Sequence, residues 1–366
     1  MQAYKKRGFW VGLGVFFLVI LSPNPESLSP IGWAVAAVTL LMAIWWATEA
    51  VPVAVTALLP LALFPLLQVT DFKAAALPYA NPNIYLFMGG FILALGIESS
   101  GLHKRLALKM LILVGNSGAK LVGGFMLVSA VISMWVMNTS TTLMLLPIGL
   151  AVCASVAETI PNFSAKQRKN FETSLLLGIA YAASIGGMST LVGTAPNIIF
   201  AAFMLETYGI EISFIDWMKL GVPIASIMLV ASWYTITKFV YPVNFVASME
   251  TKLQLRNMLT DLGPLGRDEK KVLVIFLFAA GAWMFRTLLD NFVPLSGLTD
   301  AGIAILAALS FFFIPSENNK TDLLTWEQAN KLPWGLLVLF GGGLSLAASI
   351  GSSGLGSWIG QGLTVL

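Results

Sequence analysis

The chain has 366 residues, of which 57% are hydrophobic and only 11% charged, with 21 Lys and Arg against 18 Asp and Glu for a formal charge of +3. A typical soluble domain is about 25% charged, so these side chains cannot cover a soluble fold of this size. The mean hydropathy of +0.83 marks a polytopic membrane protein. The one cysteine, Cys153, excludes a disulfide framework, and the one histidine, His103, excludes a His-based metal cluster and a Ser-His-Asp triad. Basic residues scattered in short clusters give no nucleic-acid footprint.

A membrane-crossing helix needs about 20 mostly apolar residues. Apolar runs predict helices near 8–22, 31–48, 51–69, 83–99, 121–136, 139–157, 172–207, 213–240, 271–289, 299–314 and 334–351. The runs are continuous, not alternating segments of about ten residues, so the fold class is all-α and not a barrel. The first run follows Lys5, Lys6 and Arg7 and ends in Leu21-Ser22-Pro23-Asn24-Pro25. No Ala-x-Ala cleavage pattern follows it, so it reads as a retained helix.

Lys5-Lys6-Arg7 places the N-terminus in the cytoplasm by the positive-inside rule. Three further clusters fall on the same side: His103, Lys104, Arg105 and Lys109; Lys166, Arg168 and Lys169; and Lys252, Arg256, Arg267, Lys270 and Lys271. The count closes if residues 121–157 leave and return on one side and 172–207 crosses once.

Phe87–Leu102 matches Phe340–Leu355 without a gap, with ten identities in 16 positions at a constant offset of 253. On the topology above, the first copy runs from outside to inside and the second from inside to outside. Inverted repeats build many secondary transporters, with the substrate site at the repeat interface near the bilayer midplane. The partner of the Asn138 region falls near residue 391 (138 plus 253), beyond Leu366. The chain is therefore expected to be C-terminally truncated, with its second repeat incomplete.

Residues 121–157 contain no Asp, Glu, Lys or Arg, and Ser133–Thr142 sits in their middle. The favoured reading is a re-entrant hairpin whose tip lines a cavity; the alternative is two full helices joined by an external turn. Residues 173–205 are also free of charge, and Gly186, Gly187, Gly193 and Pro196 interrupt them. This predicts one membrane helix broken at its centre, with a Pro-kinked helix as the alternative. Broken helices expose N–H groups that attract anions and C=O groups that attract cations. Carbonyls with Ser, Thr and Asn oxygens suit a hard cation such as Na⁺, and Asn138 and Thr139 can donate hydrogen bonds to a carboxylate. Neither stretch offers an Arg clamp. Bound cations must then offset an anionic substrate, which is a physical reason to couple an anion to Na⁺.

Three motifs in this order resemble the divalent-anion/sodium symporter family, whose members carry dicarboxylates, tricarboxylates and sulfate. Trp45-Trp46-Ala47-Thr48-Glu49-Ala50-Val51-Pro52 is similar to its early helix signature. Ser133-Met134-Trp135 with Asn138-Thr139 is similar to its first Ser-Asn-Thr tip, and Gly193-Thr194-Ala195-Pro196-Asn197 to its unwound Gly-Thr-x-Pro-Asn segment. The resemblance implies a homodimeric, multi-pass transporter of the plasma (inner) membrane that moves di- or tricarboxylates with co-transported Na⁺ by an elevator mechanism. Carried over residue by residue, it implies Na⁺ ligands at Ser133, Asn138, Gly186 and Gly193, and substrate contacts at Asn138, Thr139, Thr194 and Pro196. It implies scaffold helices over 1–118, a transport part over 119–238 with hairpin 121–157 and broken helix 172–207, a cytoplasmic linker over 239–271, and scaffold helices of the truncated second repeat over 272–366.

Met137 departs from the pattern: it stands where the motif has serine, and a thioether is a poor partner for Na⁺. Either Ser140 or Thr141 takes over, or the first Na⁺ site is weakened. A Na⁺-independent dicarboxylate exchanger is therefore the nearest rival, and a fragment that lacks half the site and does not transport is another. An intramembrane enzyme lacks the His pair, Asp-rich motif or Ser-Lys pair that it needs. Among single residues, Glu49 reads as structural, Arg286 as snorkelling or paired with Asp290, and His103 as an interfacial cation.

Overall fold

The computed structural model describes residues 3–113, 117–160, 163–246, 249–289, 297–317 and 321–364. Among the described residues the chain is helical, with only two isolated bridges of extended backbone. Five helices are long and apolar enough to cross a membrane: Pro30–Thr48, Pro82–Ser99, Asn138–Thr159, Phe214–Val240 and Trp334–Ser352. The helix expected near 51–69 is instead two short pieces, Val53–Thr56 and Leu59–Leu66. Pro52 precedes the first piece, Pro60 stands in the first turn of the second, where no ladder N–H is lost, and Pro65 lies inside it and removes one.

The chain forms two compact units, each discontinuous in sequence. One comprises Met1–Tyr85, Ile199–Glu211 and Leu332–Leu366. In it α1 (Ala3–Leu21) packs on α2 (Pro30–Thr48), the Phe9 and Trp45 rings stacking at 5.1 Å. Lys5 meets Glu49 at 2.8 Å across their ends, in the structural role expected of Glu49. Bringing α2 to an end puts Glu49 in the left-handed region, at φ 44°.

The other unit comprises Leu86–Ile198 and Ile212–Lys331. It contains α8 (Gly118–Ser133), α9 (Asn138–Thr159), α10 (Ala165–Gly187), α12 (Phe214–Tyr234), α14 (Arg267–Met284) and α16 (Asp300–Phe313), where the numbering counts the helices in chain order. The helix α7 (Leu102–Leu113) was not among the predicted spans. It carries the His103 cluster, and two of its polar residues are buried. The Arg105 side chain is 7% exposed and meets Glu269 at 2.8 Å. It also donates to the carbonyls of Leu262, Gly263 and Pro264, so one guanidinium holds the approach to α14.

One expectation for a single residue is corrected, and another is extended by a partner that the sequence did not suggest. His103 is not an interfacial cation: it is buried, with Nδ1 placed to donate to Ile97 O at 2.9 Å, and burial lowers its pKa below the ordinary 6.5. Arg286 pairs with Asp300 at 3.2 Å; Asp290 lies outside the described residues.

The internal repeat is visible as local geometry. Helix α6 (Pro82–Ser99) ends at Gly101, φ +77°, before α7 starts at the buried Leu102. Helix α18 (Trp334–Ser352) ends at Gly354, φ +79°, before α19 (Leu355–Thr364) starts at the buried Leu355. Both are left-handed glycine stops, a conformation that L side chains resist. Short helices also precede both copies, Phe72–Ala76 capped by Asp71 and Trp326–Ala329 capped by Thr325.

Two outcomes are expected. Arg105→Ala strands a buried Glu269 carboxylate and lowers stability by about 3–5 kcal/mol, while the double replacement Arg105→Met with Glu269→Leu regains most of the loss; thermal unfolding in micelles checks both. Burial makes folded His103 take up a proton less readily than unfolded His103, so its contribution is complete above about pH 6.5 and is lost as pH falls below it. His103→Gln flattens that part of the stability–pH profile.

Candidate functional site

The tip follows from where α8 can no longer continue. The N–H groups of Trp135 and Val136 both fold back onto Ile132 O at 3.0 Å, and Met137 is extended before α9 begins. The turn Met134–Met137 contains neither glycine nor proline, so side chains must hold it. Ser133 is fully buried, and its Oγ donates to Asn138 Oδ1 at 2.6 Å. This bond orients the Asn138 amide, because only its oxygen can accept. No hydrogen bond from Asn138 Nδ2 to a described residue is present, and Met137 gives α9 no side-chain cap. The first-turn N–H groups of α9 are therefore open, at the positive end of a 22-residue helix.

The break is built against this tip. Helix α10 approaches α8 through glycine: a Cβ on Gly186 would run into the Ala130 backbone, and one on Gly178 would reach Met126 Cγ at 3.0 Å. After Gly187 the chain leaves the helix and, after seven intervening residues, enters another, α11 (Ala195–Tyr208). Carbonyls orphaned at such a break need donors. Asn197 Nδ2 supplies two, to Gly187 O at 2.9 Å and Thr190 O at 2.6 Å. Thr190 Oγ1 accepts from Gly193 N at 3.1 Å and donates to Met134 O, which ties the break to the tip. Trp217 Nε1 donates to Met188 O at 2.9 Å from α12.

Tip and break meet without room for another carbon. A Cβ on Gly187 would lie 2.5 Å from Asn138 Oδ1 and 3.1 Å from Gly193 O, and one on Gly193 would lie 2.5 Å from Gly187 O. Ser133, Asn138 and Gly193 thus lie together at this junction. Gly186 stands one residue away: its carbonyl accepts Ser189 N–H at 2.9 Å, and Gly187 is the glycine facing Asn138. Thr139 and Pro196 are exposed in the first turns of α9 and α11, and Thr194 is half-buried with its carbonyl accepting Asn197 N–H at 3.2 Å. Thr141 Oγ1 is buried and has no hydrogen-bond partner among the described residues.

The cluster is neutral and rich in oxygen. Two helix C-termini, of α8 and α10, bring partial negative charge to it, and two N-termini, of α9 and α11, bring partial positive charge. Asn197 closes the Gly-Thr-x-Pro-Asn motif, but the sequence assigns no role to it or to Thr190. The sequence does carry a signal for Asn197: an amide four residues after a glycine, just past a proline, at a break that has carbonyls to satisfy.

A family model described as sodium:sulfate symporter transmembrane region matches residues 7–366. The sodium-dependent dicarboxylate transporter SdcS of Staphylococcus saprophyticus is 38% identical over 367 aligned residues, covering 98% of this chain and 70% of that protein. SdcS of Staphylococcus aureus strain USA300 is 38% identical over 365, again covering 98% and 70%.

Asn197→Ala leaves two buried carbonyls without their donor. The expected loss of stability is about 1–3 kcal/mol, set by desolvation of the unpaired groups, and thermal unfolding in micelles measures it.

Proposed function

We propose a transport mechanism for this chain, which belongs to the sodium:sulfate symporter family and is therefore a multi-pass membrane transporter and not an enzyme. The reading is Na⁺-coupled symport of a small di- or tricarboxylate across the plasma membrane, by alternating access of the elevator type. The observation that carries it is the junction of Ser133, Asn138, Gly187 and Gly193 at four helix ends.

The Asn138 amide gives the coupling a physical form. Its oxygen, with Ser133 Oγ and the carbonyls of Gly186 and Gly193, faces the cation. Its Nδ2, with the Thr139 hydroxyl and the uncapped N–H groups of α9, faces a substrate carboxylate. Thr194 and Pro196, in the first turn of the following half-helix, line the substrate from the other side. Na⁺ bound on one face of the amide fixes the orientation that the anion needs on the other and offsets the anion's charge. The re-entrant hairpin 121–157 and broken helix 172–207 move as the core of a transport part, 119–238. Residues 1–118 and 272–366 act as inverted scaffolds in a homodimer, and 239–271 as a cytoplasmic linker. The matched glycine stops at Gly101 and Gly354 support the repeat.

A second reading is Na⁺-independent exchange, and Met137 favours it. A serine here offers a hydroxyl to a cation or to the α9 N-terminus, and the thioether offers neither well.

Uptake of a labelled dicarboxylate into vesicles separates the two. Replacing Na⁺ by K⁺ is expected to reduce uptake at least about tenfold, the loss of about 1.4 kcal/mol of coupling. Undiminished uptake in K⁺ that requires internal counter-substrate would establish the exchanger instead. Met137→Ser is expected to lower the Na⁺ concentration for half-maximal uptake; an unchanged value would mean that the thioether costs no ligand.

A further inference from the structure

Trp135 sits in the tip turn, two residues after Ser133 and three before Asn138, and takes no part in the oxygen cluster. Its indole is near-parallel to Phe214 at 5.8 Å and 20°, and to Trp283 at 6.3 Å and 14°, with Phe276 edge-on at 4.9 Å. Phe214 and Trp283 stack on each other at 4.6 Å and 9°, and both are fully buried. The three near-parallel rings come from three separate places: the tip turn, the first residue of α12 and the end of α14.

One residue pins the stack. Asp300, at the start of α16, accepts the Phe214 backbone N–H on Oδ2 at 2.8 Å, and its own carbonyl accepts Trp283 Nε1–H at 3.0 Å. Its carboxylate meets Arg286 at 3.2 Å, with both side chains largely buried at 10% and 16% exposure. A charge kept in a low-dielectric interior needs its partner, and functional ionisable groups in membranes are paired in this way. Here neither charge touches the oxygen cluster. What the pair touches, through Phe214 and Trp283, is the ring of Trp135.

We propose that the Arg286–Asp300 pair is a positioning device for the ion and substrate site. In this arrangement of the transport part, which carries Trp135 and Phe214, and the scaffold, which carries Trp283 and Asp300, it fixes the aromatic stack, and the stack fixes the height of the tip turn at which Ser133 and Asn138 meet Gly187 and Gly193. The turn has no glycine or proline to define its path, so the rigid indole supplies what the backbone lacks. Arg286, Asp300 and Trp135 are positioning residues; none contacts the cation. The inference rests on the cation-site reading above.

The test is radiolabelled Na⁺ binding to the purified full chain, with thiol labelling of Thr139→Cys in a Cys153→Ala background as an independent probe of tip position. Asp300→Asn and Trp135→Leu are expected to raise the Na⁺ concentration for half-saturation by about tenfold or more, since about 1 Å of misplacement can cost up to a hundredfold. Arg286→Lys and Trp135→Phe keep the charge or the ring and are expected to stay within about threefold of the unsubstituted chain, a rescue that general destabilisation does not produce. Asp300→Asn is also expected to change the labelling rate at position 139, while Arg286→Lys leaves it unchanged. Unaltered Na⁺ half-saturation in both Asp300→Asn and Trp135→Leu, in monodisperse protein, overturns the inference. If the unsubstituted chain binds no Na⁺, the cation-site reading fails by itself. The labelling rate then decides this inference, and an unchanged rate in Asp300→Asn overturns it.

Discussion

A backbone carbonyl or amide left unpaired in an apolar interior costs several kcal/mol, and the centre of the second unit is organised around that cost. Two helices stop, at Ser133 and Gly187, where a membrane chain would ordinarily continue. Each stop releases polar groups, and four of the carbonyls are answered by a named side chain. Asn197 takes the carbonyls of Gly187 and Thr190, Thr190 takes Met134 O, and Trp217 takes Met188 O. What remains open is a small, directed set: the first N–H groups of α9, the Asn138 Nδ2 and the oxygens around Gly187. The site is the part of the break that the fold does not satisfy internally.

Formal charge is kept away from this set. The buried ion pairs Arg105–Glu269 and Arg286–Asp300 hold helices and loops of the same unit, and the junction itself consists of amide, hydroxyl and carbonyl groups. A neutral site of helix ends has modest intrinsic attraction for either sign of ion. On the proposed reading it gains from holding a cation and an anion together, because each offsets the desolvation of the other. Close glycine contacts make the site compact: any Cβ at Gly187 or Gly193 would occupy space now taken by Asn138 or by backbone.

The repeat adds a second order of regularity. Gly101 and Gly354 adopt φ values of +77° and +79° at equivalent places, each followed by a buried leucine that opens the next helix. Helix, left-handed stop and helix is a unit that a side chain at the glycine would strain by about 1–2 kcal/mol. Similar serines before each stop back-bond to their own helix, Ser100 to Ile97 O and Ser353 to Ile350 O. The two copies therefore share local chemistry as well as sequence.

Properties that depend on neighbours along the chain were legible in the sequence. Composition excluded a soluble enzyme. Apolar runs located most of the long helices, though not α7 or the break within 51–69, and Ser, Thr and Asn marked one interruption as Gly and Pro marked the other. The Ser-Asn-Thr and Gly-Thr-x-Pro-Asn motifs carry the family's signature in the sequence itself. Only the tertiary structure decided which groups across the fold face one another. That Gly187, and not Gly186, abuts Asn138 depends on the rotation of α10 against Ala130. That Arg286 finds Asp300, that Arg105 closes on Glu269 and that His103 is buried and neutral depend on contacts between distant segments or on burial. A periodic pattern fixes which side of a helix is apolar; it carries no information about the partner on the other side, because that partner is chosen by packing among elements far apart in the chain.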